Sequence, residues 1–290
     1  MSRSLEKLEG FECSHGTNSL TDYESSEYSR DELIECIHRE WFERQSTSVE
    51  GFLRSNVRDN AKCYSGNVHR YQVARHAALF DQAPHIPVAN VVRHPVTWLD
   101  SRTALFRFLM EFVPHIGQQL HYTIVSNFDD LWPFSKEFGV SLTDPEVMAF
   151  VASVGALYEL EKDARLMHRY PTFAMEDVCG DSGSFSRLVS VISKGDRLPS
   201  EDELAAIFGS GRLHQHRSAP DQTEGETFRA WPSWKQRLSA CMFVKTGLPE
   251  LYHSLGYDWS FLDAVPDYAQ APALVRPMAP FGPYWISTDD

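Results

Sequence analysis

The sequence predicts an α/β fold built on a parallel sheet, and three observations carry that expectation. Residues 88–92 form a short apolar run broken only by Asn90, followed by Arg93, His94 and Pro95 and then a helix-compatible stretch with Trp98, Leu99 and Leu105. Upstream, residues 61–69 read as a strand and its exit. Residues 71–80, with Val73, Ala74, Ala77, Ala78 and Leu79, read as a helix ended by Pro84 and Pro87. A strand, a helix and a second strand in that order are the unit of a parallel sheet. A strand that delivers a cation to its carboxyl end and then runs into a helix is also how open α/β sheets build anion sites.

Taken in order, the chain starts with a polar segment in which residues 5–13 hold a short strand interrupted by Glu9, Gly10 and Glu12. Next comes Ser14-His15-Gly16-Thr17-Asn18-Ser19-Leu20-Thr21, a glycine among small hydroxyl residues. Such a loop either turns its backbone N–H groups toward an anion or is a polar turn. Residues 30–44 form an amphipathic helix: Leu33, Ile34, Ile37, Trp41 and Phe42 recur at helical spacing, and Ser29 can cap the start. Residues 45–60 are a polar loop. From Trp98 to Ser153 the pattern is helical, with breaks at Pro114, Pro133 and Pro145; Asp144 or Thr143 with Pro145 opens a helix to about residue 169. Residues 171–175 give another short strand, ending at Glu176 and Asp177. Short helices follow at 185–192 and 202–208, then a Gly- and Ser-rich charged loop at 209–230, a last helix at 234–255 and an extended proline-containing tail at 263–290.

Composition narrows the class. A chain of 290 residues, 42% hydrophobic and 23% charged, is one large domain or two small ones with ample material for a core. Its 40 acids against 27 bases give a net charge of −13, which argues against a nucleic-acid binder resting on a basic face but leaves room for a local basic pocket. Cys13, Cys36, Cys63, Cys179 and Cys241 are odd in number and scattered, without a CxxC pair. That fits thiols in a reducing compartment better than disulfides or zinc. There is no apolar core of a leader peptide and no stretch near ~20 apolar residues. The expectation is a cytoplasmic protein with no membrane span.

The segment Val91-Val92-Arg93-His94-Pro95-Val96-Thr97-Trp98-Leu99-Asp100-Ser101-Arg102 resembles the 3′-phosphate-binding motif of sulfotransferases that use 3′-phosphoadenosine 5′-phosphosulfate. In that family a strand ends in Arg, a Pro follows two residues later and a Ser lies eight residues after the Arg; here these are Arg93, Pro95 and Ser101. Phe173-Ala174-Met175-Glu176-Asp177-Val178 is similar to the family's strand ending in a Tyr-Glu-Asp-Leu type sequence. Residues 231–258, from Trp231-Pro232-Ser233-Trp234 to Leu255-Gly256-Tyr257-Asp258, resemble its last helix. The resemblance covers most of residues 60–260. It implies a single domain over residues 1–290, with a three-layer α/β architecture: a central parallel sheet flanked by helices, P-loop NTPase-like, with helical insertions. At the N-terminus, Gly16, Thr17 and Leu20 match the family's phosphosulfate loop, but no Lys or Arg lies within it.

From this resemblance follow the expected roles. Arg93 and Ser101 bind the 3′-phosphate by charge-assisted and hydroxyl hydrogen bonds. His15, Gly16, Thr17 and Asn18 hold the phosphosulfate, with His15 supplying the charge. Arg212 and Arg217, in the loop with His214 and His216, close over the 3′-phosphate. His69 is the base that takes the acceptor's proton, and Lys62 is a second candidate for touching the sulfonate. Trp231 and Trp234 either stack an adenine or belong to the core, and Glu176 orients loops. No metal is required. The implied co-substrate is 3′-phosphoadenosine 5′-phosphosulfate, and the partner is a small-molecule or glycan acceptor with a hydroxyl or amine. A homo-oligomer stays open, as do two rivals: a phosphotransferase, disfavoured by the missing P-loop Lys, and a non-catalytic binding or assembly protein on the same fold.

Overall fold

The computed structural model describes residues 2–5, 7–15, 64–68, 77, 80–81, 84–112, 114–209 and 222–265. A short helix α1 (Ser2–Leu5) precedes strand β1 (Phe11–His15), and β2 (Tyr64–Val68) and β3 (Asn90–Val92) follow. Helices α2 (Pro95–Phe112), α3 (Pro114–Ser126), α4 (Phe128–Phe138), α5 (Pro145–Gly155) and α6 (Leu157–Arg165) lead to β4 (Thr172–Ala174). Then come α7 (Met175–Gly180), α8 (Ser182–Ile192), α9 (Glu201–Phe208), α10 (Glu224–Ala230), α11 (Ser233–Lys245) and α12 (Leu248–Leu251). The described residues are mostly helical, and their strands pair in parallel as an α/β order requires. These strands form two pairs, β1 with β2 and β3 with β4. A sheet covered on both faces favours near-continuous apolar strands. Tyr64-Ser65-Gly66-Asn67-Val68 is too polar for that, and β3 and β4 are three residues each.

The chain divides into two compact units, Met1–Val92 with Leu166–His216, and Arg93–Arg165 with Arg217–Asp290. In the first unit, Leu5, Leu8, Phe11 and Cys13 bury against Val178 and Cys179 of α7, Phe185, Leu188 and Val189 of α8, and Ile207 of α9. Phe173 of β4 and Val91 of β3 pack on the same cluster. The Glu203 carboxylate ties the polar side together. It accepts hydrogen bonds from the backbone N–H of Glu9 (2.8 Å) and of Ser200 (2.8 Å), and from Arg197 Nη2 (2.5 and 2.7 Å). Burial raises its pKa, but these donors prevail and bring it from 4.5 down to about 2.

The second unit is built around α5. Asp144 caps it, accepting from the N–H of Glu146 (2.7 Å) and of Val147 (3.4 Å), and Pro145 takes the first helical position. Every residue from Val147 to Gly155 is buried, as befits a helix that is apolar all round. Helices α2, α3, α6 and α11 pack on it. Phe150 meets Trp231 and Trp234 edge-on at 5.6 and 5.2 Å.

Several element boundaries differ from the sequence expectation. The first strand is Phe11–His15, not 5–13, so Ser14 and His15 lie in a strand where a loop was expected. The helix expected over 145–169 breaks at Ala156, whose N–H is shared among the carbonyls of Ala152, Ser153 and Val154. Gly155 just before it favours the change of conformation. Pro133 does not end α4: it lies on the exposed side, where water can satisfy the freed carbonyl. The last helix stops at Lys245, because Gly247 adopts a left-handed φ of 66° and Pro249 follows. Residues 224–230, expected as loop, are helix α10. Its start is a capping box in which Thr223 N donates to Glu226 (2.7 Å) and Glu226 N donates to Thr223 Oγ1 (3.2 Å). The helix expected over 30–44 lies outside the described residues, as does the tail from 266 onward.

Candidate functional site

The candidate site begins where the chain leaves β3. Val92 is buried, Arg93 is half-buried and His94 is 1% exposed. Pro95 then opens α2, and its missing N–H costs nothing at a first helical position. His94 closes the end of this helix. Its Nδ1 accepts the N–H of Val96 (3.1 Å), and its carbonyl accepts Thr97 Oγ1 (3.0 Å) and Trp98 N (2.9 Å). The acceptor role of Nδ1 assigns the ring proton to Nε2. Around the imidazole stand Tyr257 at 4.8 Å, Trp259 at 4.9 Å and Phe261 at 5.9 Å. Between them, Asp258 accepts from Ser260 N (2.9 Å) and Ser260 Oγ (3.0 Å). The Ser260 N–H and hydroxyl hold its carboxyl below the usual range against burial, with Arg229 and His94 adding to the shift.

Helix α2 has one buried and one exposed side. Val96, Trp98, Leu99, Phe106 and Leu109 bury, while Asp100, Ser101, Ala104 and Arg107 face solvent. Ser101 therefore presents its hydroxyl to solvent on the second turn, and Cα–Cβ bonds lean toward the helix start. In the resemblance this hydroxyl is a donor on the first turns of the helix, near its positive end. That end extends only over the first turn, and there the N–H groups of Val96 and Trp98 are already taken by His94. An anion at Ser101 would meet side chains rather than these N–H groups.

The two arginines of the stretch have different environments. Arg102 is 8% exposed, lies over the rings of Trp98 (5.1 Å) and Phe106 (4.8 Å) and pairs with Glu159 at 3.6 Å. Arg93 makes no hydrogen bond or ion pair among the described residues. A half-buried guanidinium with its donors unspent suits a planar two-oxygen contact to a phosphate. Beside Ser101, Asp100 Oδ1 accepts the indole N–H of Trp231 at 2.9 Å.

The other expected residues fall as follows. Trp231 and Trp234 are each 8% exposed and pack on Phe150, so they are core, not an adenine platform. Glu176 lies with Asp177 in the first turn of α7, where carboxylates suit the positive helix end. His15 is the last residue of β1 and stands opposite Val68, the last residue of β2, in the parallel register. The chain runs on from there into Gly16 on one side and His69 on the other. Gly16, Thr17, Asn18, Lys62, His69, Arg212 and Arg217 lie outside the described residues. Among the described residues no three His, Cys, Asp or Glu side chains gather as a metal site, and no helix is long and apolar enough to cross a membrane. From the sequence His94 has a local capping or pairing role, and the structure shows the cap; the aromatic wall was missed. The His-Pro pair at a helix start was a signal for the cap; nothing local marked the wall. No protein-family model, curated protein or solved structure matches the chain.

Proposed function

We propose that the protein is a sulfotransferase that moves a sulfonate from 3′-phosphoadenosine 5′-phosphosulfate to a hydroxyl or amine of a small molecule or glycan. The scaffold in this reading is the three-layer, P-loop-like α/β fold. One observation carries it: Arg93 leaves the carboxyl end of a parallel strand half-buried and uncommitted among the described residues, eight residues before an exposed Ser101 on the next helix. The parallel register of β1 and β2 adds support, since the segments starting at Gly16 and His69 leave the same end of that pair.

In this reading Arg93 and Ser101 hold the 3′-phosphate. The loop at Gly16, Thr17 and Asn18 holds the phosphosulfate by N–H and hydroxyl donors, with His15 beside it. His69 takes the acceptor's proton as the acceptor oxygen or nitrogen bonds to sulfur. The bond from sulfur to the 5′-phosphate oxygen breaks, and 3′-phosphoadenosine 5′-phosphate leaves with that electron pair. Lys62, Arg212 and Arg217 offset the negative charge.

Titration calorimetry with 3′-phosphoadenosine 5′-phosphate tests the site. Arg93→Ala should weaken binding by about 10- to 100-fold, the size of a lost charge-assisted hydrogen-bond pair. His69→Ala should bind normally and lose turnover of labelled sulfonate onto an acceptor panel. No heat from the unaltered protein at millimolar ligand overturns the reading. Tight binding without transfer to any acceptor would make the protein a binding module.

A further inference from the structure

We infer that His94 is a positioning residue for the 3′-phosphate half of the site: it fixes the backbone next to Arg93 and the start of α2, the helix that carries Ser101. This rests on the phosphate role proposed for Arg93 and Ser101. Residue 94 is the only one between Arg93 and the first helical residue, so its backbone sets the direction of the arginine. Three hydrogen bonds fix it there: Val96 N to the ring, and Thr97 Oγ1 and Trp98 N to the carbonyl.

Capping alone does not explain a histidine. Ser, Thr, Asp and Asn are the preferred residues at this position, and a small side chain would accept the Val96 N–H as well. What the imidazole adds is reach. Its ring touches Tyr257, Trp259 and Phe261, so one side chain both closes α2 and docks residues 257–261. Asp258 on that segment interacts with it electrostatically and has Arg229 as a further neighbour; Arg93 is next in the chain. Asp258 accepts from Ser260, while the His94 ring accepts the Val96 N–H at the helix start. The wall thus holds the residue next to Arg93, whose guanidinium has no committed donor among the described residues.

The test compares affinity for 3′-phosphoadenosine 5′-phosphate with affinity for adenosine 5′-phosphate, which lacks the 3′-phosphate. The ratio isolates Arg93 and Ser101 from the rest of the nucleotide contacts. His94→Ala should lower that ratio by about tenfold while leaving adenosine 5′-phosphate binding unchanged. His94→Asn, which restores a cap acceptor without the ring, should recover most of it. Trp259→Leu, which keeps the cap and loosens the wall, should cost about threefold. Hydrogen exchange at the Val96 amide reports the cap without any ligand: fast in His94→Ala, slow again in His94→Asn. An unchanged ratio in His94→Ala, with the Val96 amide deprotected, overturns the inference alone. Absence of any 3′-phosphate preference in the unaltered protein overturns the functional reading and this inference with it.

Discussion

In the strand-bearing unit a single carboxylate, Glu203, gathers donors from Glu9, Arg197 and Ser200 at the edge of a modest apolar cluster. In the helical unit, residues Val147 to Gly155 of α5 are all buried and none is charged. The first arrangement depends on protonation state, because a neutral acid accepts fewer and weaker hydrogen bonds. The second depends on shape, because aromatic rings packed edge-on leave voids when one is removed. The two units should therefore fail under different insults.

The largest expected effect is at Phe150. Phe150→Ala removes the ring shared by Trp231 and Trp234 and should destabilise the protein by about 3–5 kcal/mol. Urea unfolding followed by tryptophan emission reads this directly, since Trp98, Trp132, Trp231, Trp234 and Trp259 all belong to the helical unit. A loss under about 1 kcal/mol would mean that the rings repack and that shape matters less there than proposed.

Acid should break the other unit. Glu203 titrates at about 2 when folded against 4.5 ordinarily. A depressed acid contributes stability that is present above pH 4.5 and is lost as pH falls toward 2. Screening of the partly exposed group reduces the effect to about 2 kcal/mol. Glu203→Gln should cost that amount at neutral pH and flatten the pH dependence of unfolding between about 5 and 2. An unaltered acid limb in Glu203→Gln would assign the dependence to other carboxylates. The smallest effect is at the start of α10, where Thr223→Ala should cost about 1 kcal/mol with no change in acid sensitivity.

What the sequence made legible was local. The helix start at Pro145 with Asp144 or Thr143 before it, and the strand before Arg93, each rest on a few neighbouring residues; the structure has Asp144 as the cap and a strand at Asn90–Val92 within the expected 88–92. Thr223-Glu224-Gly225-Glu226 was also readable as a capping box, yet its Gly- and charge-rich surroundings hid it. The break at Ala156 left no mark, because apolar residues recur on both sides of it. The wall on His94 comes from far downstream, and periodicity says nothing about which distant rings meet. For the candidate site, Arg93 and Ser101 are expected from spacing alone, whereas the rings on His94 are visible only as a contact.

The bond from the Trp231 indole to Asp100 has a practical side. Asp100 is the residue next to Ser101, so a phosphate on that hydroxyl would bring negative charge near the carboxylate that accepts the indole N–H. The protein thus carries its own spectroscopic label beside the candidate phosphate position. Its indole resonance can be followed through a titration without attaching a dye or changing a residue.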